Sequence, residues 1–149
     1  MIQMIETEMK ELICLDKELK GRIDNILDID SIGFITAVKV LSETGFFETF
    51  SNEKQVASYA GLDVKQNESG NHKGKSHLSK NGNENLRTAM YMPALTAVTH
   101  NKAMKVFFVR LRSKGKSYKT ALIAVAMKLL HLIYTLWKTT ILVLVSNGF

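Results

Sequence analysis

Between Lys65 and His77, thirteen residues pass without one large apolar side chain, while core-forming sequence lies on both sides of the gap. Apolar residues recur at helical spacing before and after it, so the flanks read as helices that share a core, with a polar segment carried outside. At 149 residues, 46% of them apolar, one domain is the expected unit. A single cysteine, Cys14, excludes an intrachain disulfide and a thiolate zinc site, and a reducing cytoplasm is the simplest expected home. The start of the chain, "MIQMIETEMKE", lacks the apolar run of a signal peptide and reads as no transit peptide.

From Ile2 to Leu27 the apolar positions are Ile2, Ile5, Met9, Leu12, Leu15, Leu19, Ile23 and Ile26, in steps of three or four with charges between. That spacing predicts one long amphipathic helix whose stripe is like a coiled-coil seam, able to pair with a second helix. "FITAVKVLSET" then predicts a short helix ended by Gly45, and "FSNEKQVASYAGL" another, with Asn52 and Gln55 as a capping box and Gly61 as terminator. Short helices around a glycine turn, with Gly33 at the first turn, suggest a helix-hairpin-helix-like element that offers backbone N–H groups to phosphates.

After the polar segment, which reads as a loop or a short β-like hairpin near 62–78, helix resumes at Asn83 with Leu86, Met90, Leu95 and Val98 on one stripe. Pro93 lies inside this pattern and predicts a kink or a split. "AMKVFFVRLRSKG" and "SYKTALIAVAMKLLHLIYTLWKTT" predict two further helices, before an apolar tail at 141–149. Lys128, His131 and Lys138 interrupt the last helix, and a charge at a membrane centre costs about 2.5–3.5 kcal/mol. It therefore reads as a core helix, with no membrane partner expected. The fold class is mainly α.

The formal charge of +6 conceals a division. Residues 1–64 hold six Lys/Arg and twelve Asp/Glu, whereas residues 65–119 hold twelve Lys/Arg against Glu68 and Glu84 alone. Segregation of this kind points to one basic surface facing a polyanion. Within the polar segment three chemistries compete. Asp63, Glu68, His72 and His77 share no recognised helical ligand spacing and lysines intervene, so no metal site is expected. Lys73, Lys75, Lys80 and Arg87, with Gly70, Gly74 and Gly82 and the donors Ser79, Asn81 and Asn83, form a phosphate-binding set in which glycines let backbone approach a ligand. Ser69, between Glu68 and Gly70, is a candidate nucleophile that needs a base or a metal; by itself a serine before a glycine is a turn residue.

Five stretches in order, "SIGFITAVKVLSETG", "FSNEKQVASYAGL", "NESG", "GKSHLSKNGNENLRTAMYMPAL" and "LRSKGKSYKTALIAVAMKLL", resemble the C-terminal domain of transposases from insertion sequences of the 110, 116 and 902 kind. The resemblance covers about residues 27–138. It implies that the first stretch is helix-hairpin-helix-like. It also implies that Ser69, in the glutamate-serine-glycine turn, is the nucleophile that joins DNA covalently. Ser79, Lys80, Gly82 and Arg87 fall on the family's pattern after that turn, and Arg112, Gly115, Lys116 and Lys119 on its basic helix junction. Asp30-Ser31-Ile32-Gly33 stands where the family usually carries a proline-glycine pair, which implies a looser turn. The family's N-terminal nuclease-like domain, whose acidic residues bind divalent metal, has no counterpart here, so the chain resembles a truncated transposase. Magnesium is then expected only in that missing domain.

These readings combine into one expectation. Residues 1–27 form a coiled-coil-like connector helix and a homo-oligomer contact. Residues 28–140 form a DNA-binding and strand-transfer domain, with Ser69 catalytic and Gly33, Lys73, Lys75, Ser79, Lys80, Asn81, Arg87, Arg112, Lys116 and Lys119 on DNA. The partner is DNA, with structured RNA as an alternative. The competing readings are a remnant that binds nucleic acid without chemistry, and a coiled-coil assembly module.

Overall fold

The computed structural model describes the backbone of residues 2–62, 64–65, 68–69, 72–73, 77–78 and 82–146, and the side chains of residues 2–62 and 82–139. Among these residues there are seven α-helices: α1 Ile2–Cys14, α2 Lys17–Leu27, α3 Phe34–Glu43, α4 Glu53–Ala60, α5 Glu84–His100, α6 Lys102–Ser113 and α7 Tyr118–Ser146. A single 3-10 turn, Gly45–Phe47, joins α3 to the loop before α4. The architecture is mainly helical, as expected.

α7 is the helix on which the others assemble, touching α2, α4, α5 and α6. Ala121, Val125, Leu129, Ile133 and Trp137 recur every four residues along it and are buried, with Leu130 beside them. Its Tyr118–Thr139 segment is long and apolar enough to cross a membrane by length and composition, at a mean hydropathy of 1.6. Half of its most apolar stretch is buried inside the molecule. Against α7, α5 presents a stripe of Leu86, Met90, Pro93, Ala94 and Ala97, all buried. Pro93 does not split this helix: α5 runs unbroken from Glu84 to His100. A proline inside a helix costs about 3 kcal/mol, and a buried stripe of this length outweighs it.

The expected long helix over 2–27 is two helices. Asp16 has an extended backbone and its side chain accepts a hydrogen bond from the Leu19 N–H at 3.1 Å, which starts α2 afresh. The two helices also bury different things. Ile23 and Ile26 of α2 lie in the core, with Leu19 packed against it, whereas α1 has no buried residue. On α1, Ile2, Ile5 and Leu12 are 77%, 50% and 67% exposed. The stripe therefore serves two purposes: its α2 part packs into the core, while Ile2, Ile5, Leu12 and Leu15 face outward.

Local signals end and begin most helices where expected. Gly45 and Gly61 have positive φ (58° and 70°) after α3 and α4, and the Asn52 side chain accepts from the Gln55 N–H at 3.0 Å. Gly115, at φ 87°, follows α6. Phe46 and Phe47 continue the left-handed path of Gly45 at φ 58° and 57°, conformations costly for bulky residues. Burial compensates. Phe47 is fully buried with its ring edge-on to Tyr134 at 5.4 Å, and Phe46 lies 5.9 Å from the Trp137 ring. The Arg22 guanidinium stacks on the same indole at 3.5 Å and donates to the Trp137 carbonyl at 3.3 Å, and its burial lowers its pKa.

Candidate nucleic-acid interface

The polar segment leaves and rejoins the helical body at a single neck, formed by the end of α4 and the start of α5. At its centre Gly61 and Gly82 are in backbone contact. A β-carbon on Gly82 would meet Gly61 N, Gly61 Cα and the Ala60 carbonyl carbon closer than side chains come. The Asn83 N–H donates to the Tyr59 carbonyl at 2.6 Å. The Asn83 side chain does three things at once. Its oxygen accepts from the Leu86 N–H at 2.9 Å, capping α5, while its amide donates to Glu43 Oε2 at 2.9 Å and to the Tyr59 hydroxyl at 3.1 Å. Tyr59 in turn donates to the Glu43 carbonyl at 3.0 Å, so α3, α4 and α5 are tied together beneath the segment.

Two residues expected at the ligand belong to this neck. Gly82 permits a close approach, and what approaches is the backbone of Gly61. Arg87 is half-buried, and its Nη1 donates to the Ala60 carbonyl at 3.5 Å, near the end of α4. Sequence reasoning missed Tyr59 and Glu43 altogether, because no motif marks a side chain that acts across 24 or 40 residues.

Above the neck two antiparallel ladders are described. Val64 and Lys65 pair with Leu78 and His77, and Glu68 and Ser69 pair with Lys73 and His72. The expected short β-like hairpin near 62–78 is not supported: these ladders are two residues long, shorter than the strands of a stable sheet. The register makes Ser69 and His72 backbone partners. The side chains of Ser69 and Lys73, and Lys75, Ser79, Lys80, Asn81, Gly70 and Gly74 entirely, lie outside the described residues.

The remaining expected contacts are on other elements. Gly33 is the N-cap position of α3 with an ordinary extended backbone (φ −90°, ψ 172°), and a β-carbon there would meet nothing within 4 Å. No tight turn demands glycine at that point. Arg112, Lys116 and Lys119 are exposed together where α6 gives way to α7. Arg112 Nη1 donates to the Lys116 carbonyl at 2.9 Å and holds the turn, while Ser117 Oγ accepts from the Thr120 N–H at 3.2 Å and caps α7. Residues 85–149 contain ten Lys/Arg and no Asp or Glu. The ion pairs found among the described residues, Glu6–Lys10, Asp24–Lys20 and Glu53–His131, involve none of the α6 or junction cations. No three His, Cys, Asp or Glu residues cluster as metal ligands among the described residues.

The family described as "Transposase IS116/IS110/IS902 family" matches residues 23–108, a span that contains the whole polar segment and its neck. The chain is similar to the pilin gene-inverting proteins of Moraxella bovis and Moraxella lacunata. Each is 33% identical over 136 residues, which is 89% of this chain and 42% of the relative. It is also 27% identical over 114 residues to the transposase for insertion sequence element IS1111A of Coxiella burnetii, covering 74% of this chain and 31% of that protein. The chain thus spans less than half the length of these relatives.

Proposed function

The chain belongs to the transposase IS116/IS110/IS902 family, and from that premise we propose that it is the DNA-engaging, strand-transferring portion of a transposase or DNA-inverting recombinase. The observation that carries the reading is that the family match encloses the polar segment together with the three-helix neck that holds it. The pilin gene-inverting relatives point to a reaction that exchanges DNA strands. Residues 28–140 are the domain concerned. Lys73, Lys75, Ser79, Lys80 and Asn81 meet phosphates from the polar segment, while Arg112, Lys116 and Lys119 meet them from the helix junction. Structured RNA offers the same phosphates and is the alternative nucleic acid.

Ser69 is the proposed nucleophile. Its Oγ bonds to a DNA phosphorus, the bridging P–O bond to the leaving deoxyribose oxygen breaks, and that oxygen takes up the hydroxyl proton. A charge-balanced attack at neutral pH needs a base or a metal. Magnesium, in this reading, comes with the part of the relatives that this chain does not span, so the chain by itself binds DNA without cleaving it. The competing reading is a binding module with no chemistry in any context. Denaturing gels with labelled DNA separate the two. Supplied with a metal-binding partner region, the chain gives a covalent protein–DNA band that maps to Ser69 and disappears in Ser69→Ala. DNA affinity is kept in that variant, because one hydroxyl and no charge is lost. A band surviving in Ser69→Ala, or mapped to Ser76 or Tyr91, overturns the nucleophile.

The outward stripe of α1 completes the proposal. With Leu19, Ile23 and Ile26 packed into the chain's own core, Ile2, Ile5, Met9 and Leu12 are left to pair two copies.

A further inference from the structure

We infer that the outer face of α6, with the turn that follows it, is a second nucleic-acid surface that grips a phosphate backbone independently of the polar segment. The inference rests on the reading that the chain binds nucleic acid, and adds to it Lys102, Lys105 and Arg110. α6 is an outer layer. It packs on α5 and α7, and Phe108 is its buried residue. Its other half faces solvent, and Lys102, Lys105, Val109 and Arg112 follow one another there at helical spacing, with Arg110 on the flank and Lys114 in the turn. The stripe is about 15 Å long at 1.5 Å per residue, enough to lie along about four phosphates of one strand.

Two observations separate this face from an ordinary solvated one. On α1 and α2, Lys10 and Lys20 each have an acid four residues away: Glu6 holds Lys10 at 2.8 Å and Asp24 holds Lys20 at 3.0 Å. α6 has no such partner, and its sequence offers none. Like charges spaced this way on a helix destabilise it, and they lie within a Debye length of one another, so the cost is relieved only by an anion from outside. Val106 and Val109 are 67% and 54% exposed among the cations. β-branched residues gain a surface helix nothing in water, but they give an aliphatic surface for sugar carbons between phosphates.

The first cation of the face also lies far from the neck. The neck is tied to Asn83, at the start of α5, whereas α6 begins after Asn101 at the other end. An α5 of 17 residues places Lys102 about 25 Å from Asn83 along its axis.

The test measures binding of a fluorescent duplex DNA across a salt series, with the full chain and two triple variants. Lys102→Gln, Lys105→Gln and Arg110→Gln together remove the α6 charges and keep helix propensity. Lys73→Gln, Lys75→Gln and Lys80→Gln together do the same for the polar segment. The α6 variant is expected to shallow the slope of log affinity against log salt by about 2–3 and to weaken binding about ten- to hundredfold at moderate salt. The corresponding arginine variants, Lys102→Arg and Lys105→Arg, keep both the slope and the affinity. Combining the two triple variants adds their slope losses. An α6 variant with unaltered slope and affinity, beside a segment variant that is weakened, overturns the second surface and leaves the DNA reading standing. An unaltered chain with no salt-dependent binding overturns both.

Discussion

Gly82→Ala isolates the neck in one methyl group. The β-carbon that the substitution adds meets the backbone of Ala60 and Gly61, not the end of a bendable side chain. Gly61 cannot retreat cheaply, since it holds the left-handed φ of 70° that ends α4. The two strands of the neck must part, which puts at risk the 2.6 Å bond from the Asn83 N–H to Tyr59 and the cap that Asn83 gives α5. Overpacking costs about 1–3 kcal/mol and a lost N-cap about 1 kcal/mol, so the expected loss is about 3 kcal/mol. In a chain of this length that lowers the unfolding midpoint by about 6–12 °C. Gly21→Ala is the matched control: it lies inside α2, a β-carbon there meets nothing within 4 Å, and alanine is expected to stabilise by about 1 kcal/mol. Thermal and urea unfolding followed by circular dichroism read both. If Gly82→Ala unfolds with the unaltered chain, the neck is not a closed contact, and the argument that the helical body positions the polar segment fails.

Ile5→Lys with Leu12→Lys, both on the exposed stripe of α1, is expected to leave the unfolding midpoint within about 2 °C and to convert an oligomer into a monomer by light scattering. An unaltered chain that is already monomeric at high concentration refutes the pairing. Trp137→Ala empties a buried site, removes the surface on which Arg22 stacks, and is expected to cost about 3–5 kcal/mol in urea unfolding; Tyr91→Ala, on the exposed side of α5, is expected to cost under about 0.5 kcal/mol.

What could be read from the chain alone was whatever depends on neighbours within one or two turns. Asn52 and Gln55 announced α4, Gly45 and Gly61 closed their helices, and Gly115 marked the turn after α6, because a cap or a left-handed glycine is satisfied by backbone three to five residues away. The unpaired basic charge was equally legible, since net charge is a property of composition. The family stretches were legible as an ordered set of short strings, and the family match confirms the membership they implied.

The tertiary structure decided the rest. A spacing of three and four continues across the two-residue break at Asp16 as smoothly as through a helix, so periodicity could not show that α2 turns its stripe into the core while α1 leaves its own outside. Pro93 breaks helices in isolation but not where a buried stripe runs through it. Gly82 reads as room for a ligand until Gly61 is found in that room, and Arg87 as a free cation until the end of α4 is found beneath it. Arg22 and Trp137, 115 residues apart, make the point most simply. Local hydrogen bonds are decided by residue type and spacing, whereas a contact of that separation exists only once all the intervening helices have taken their places.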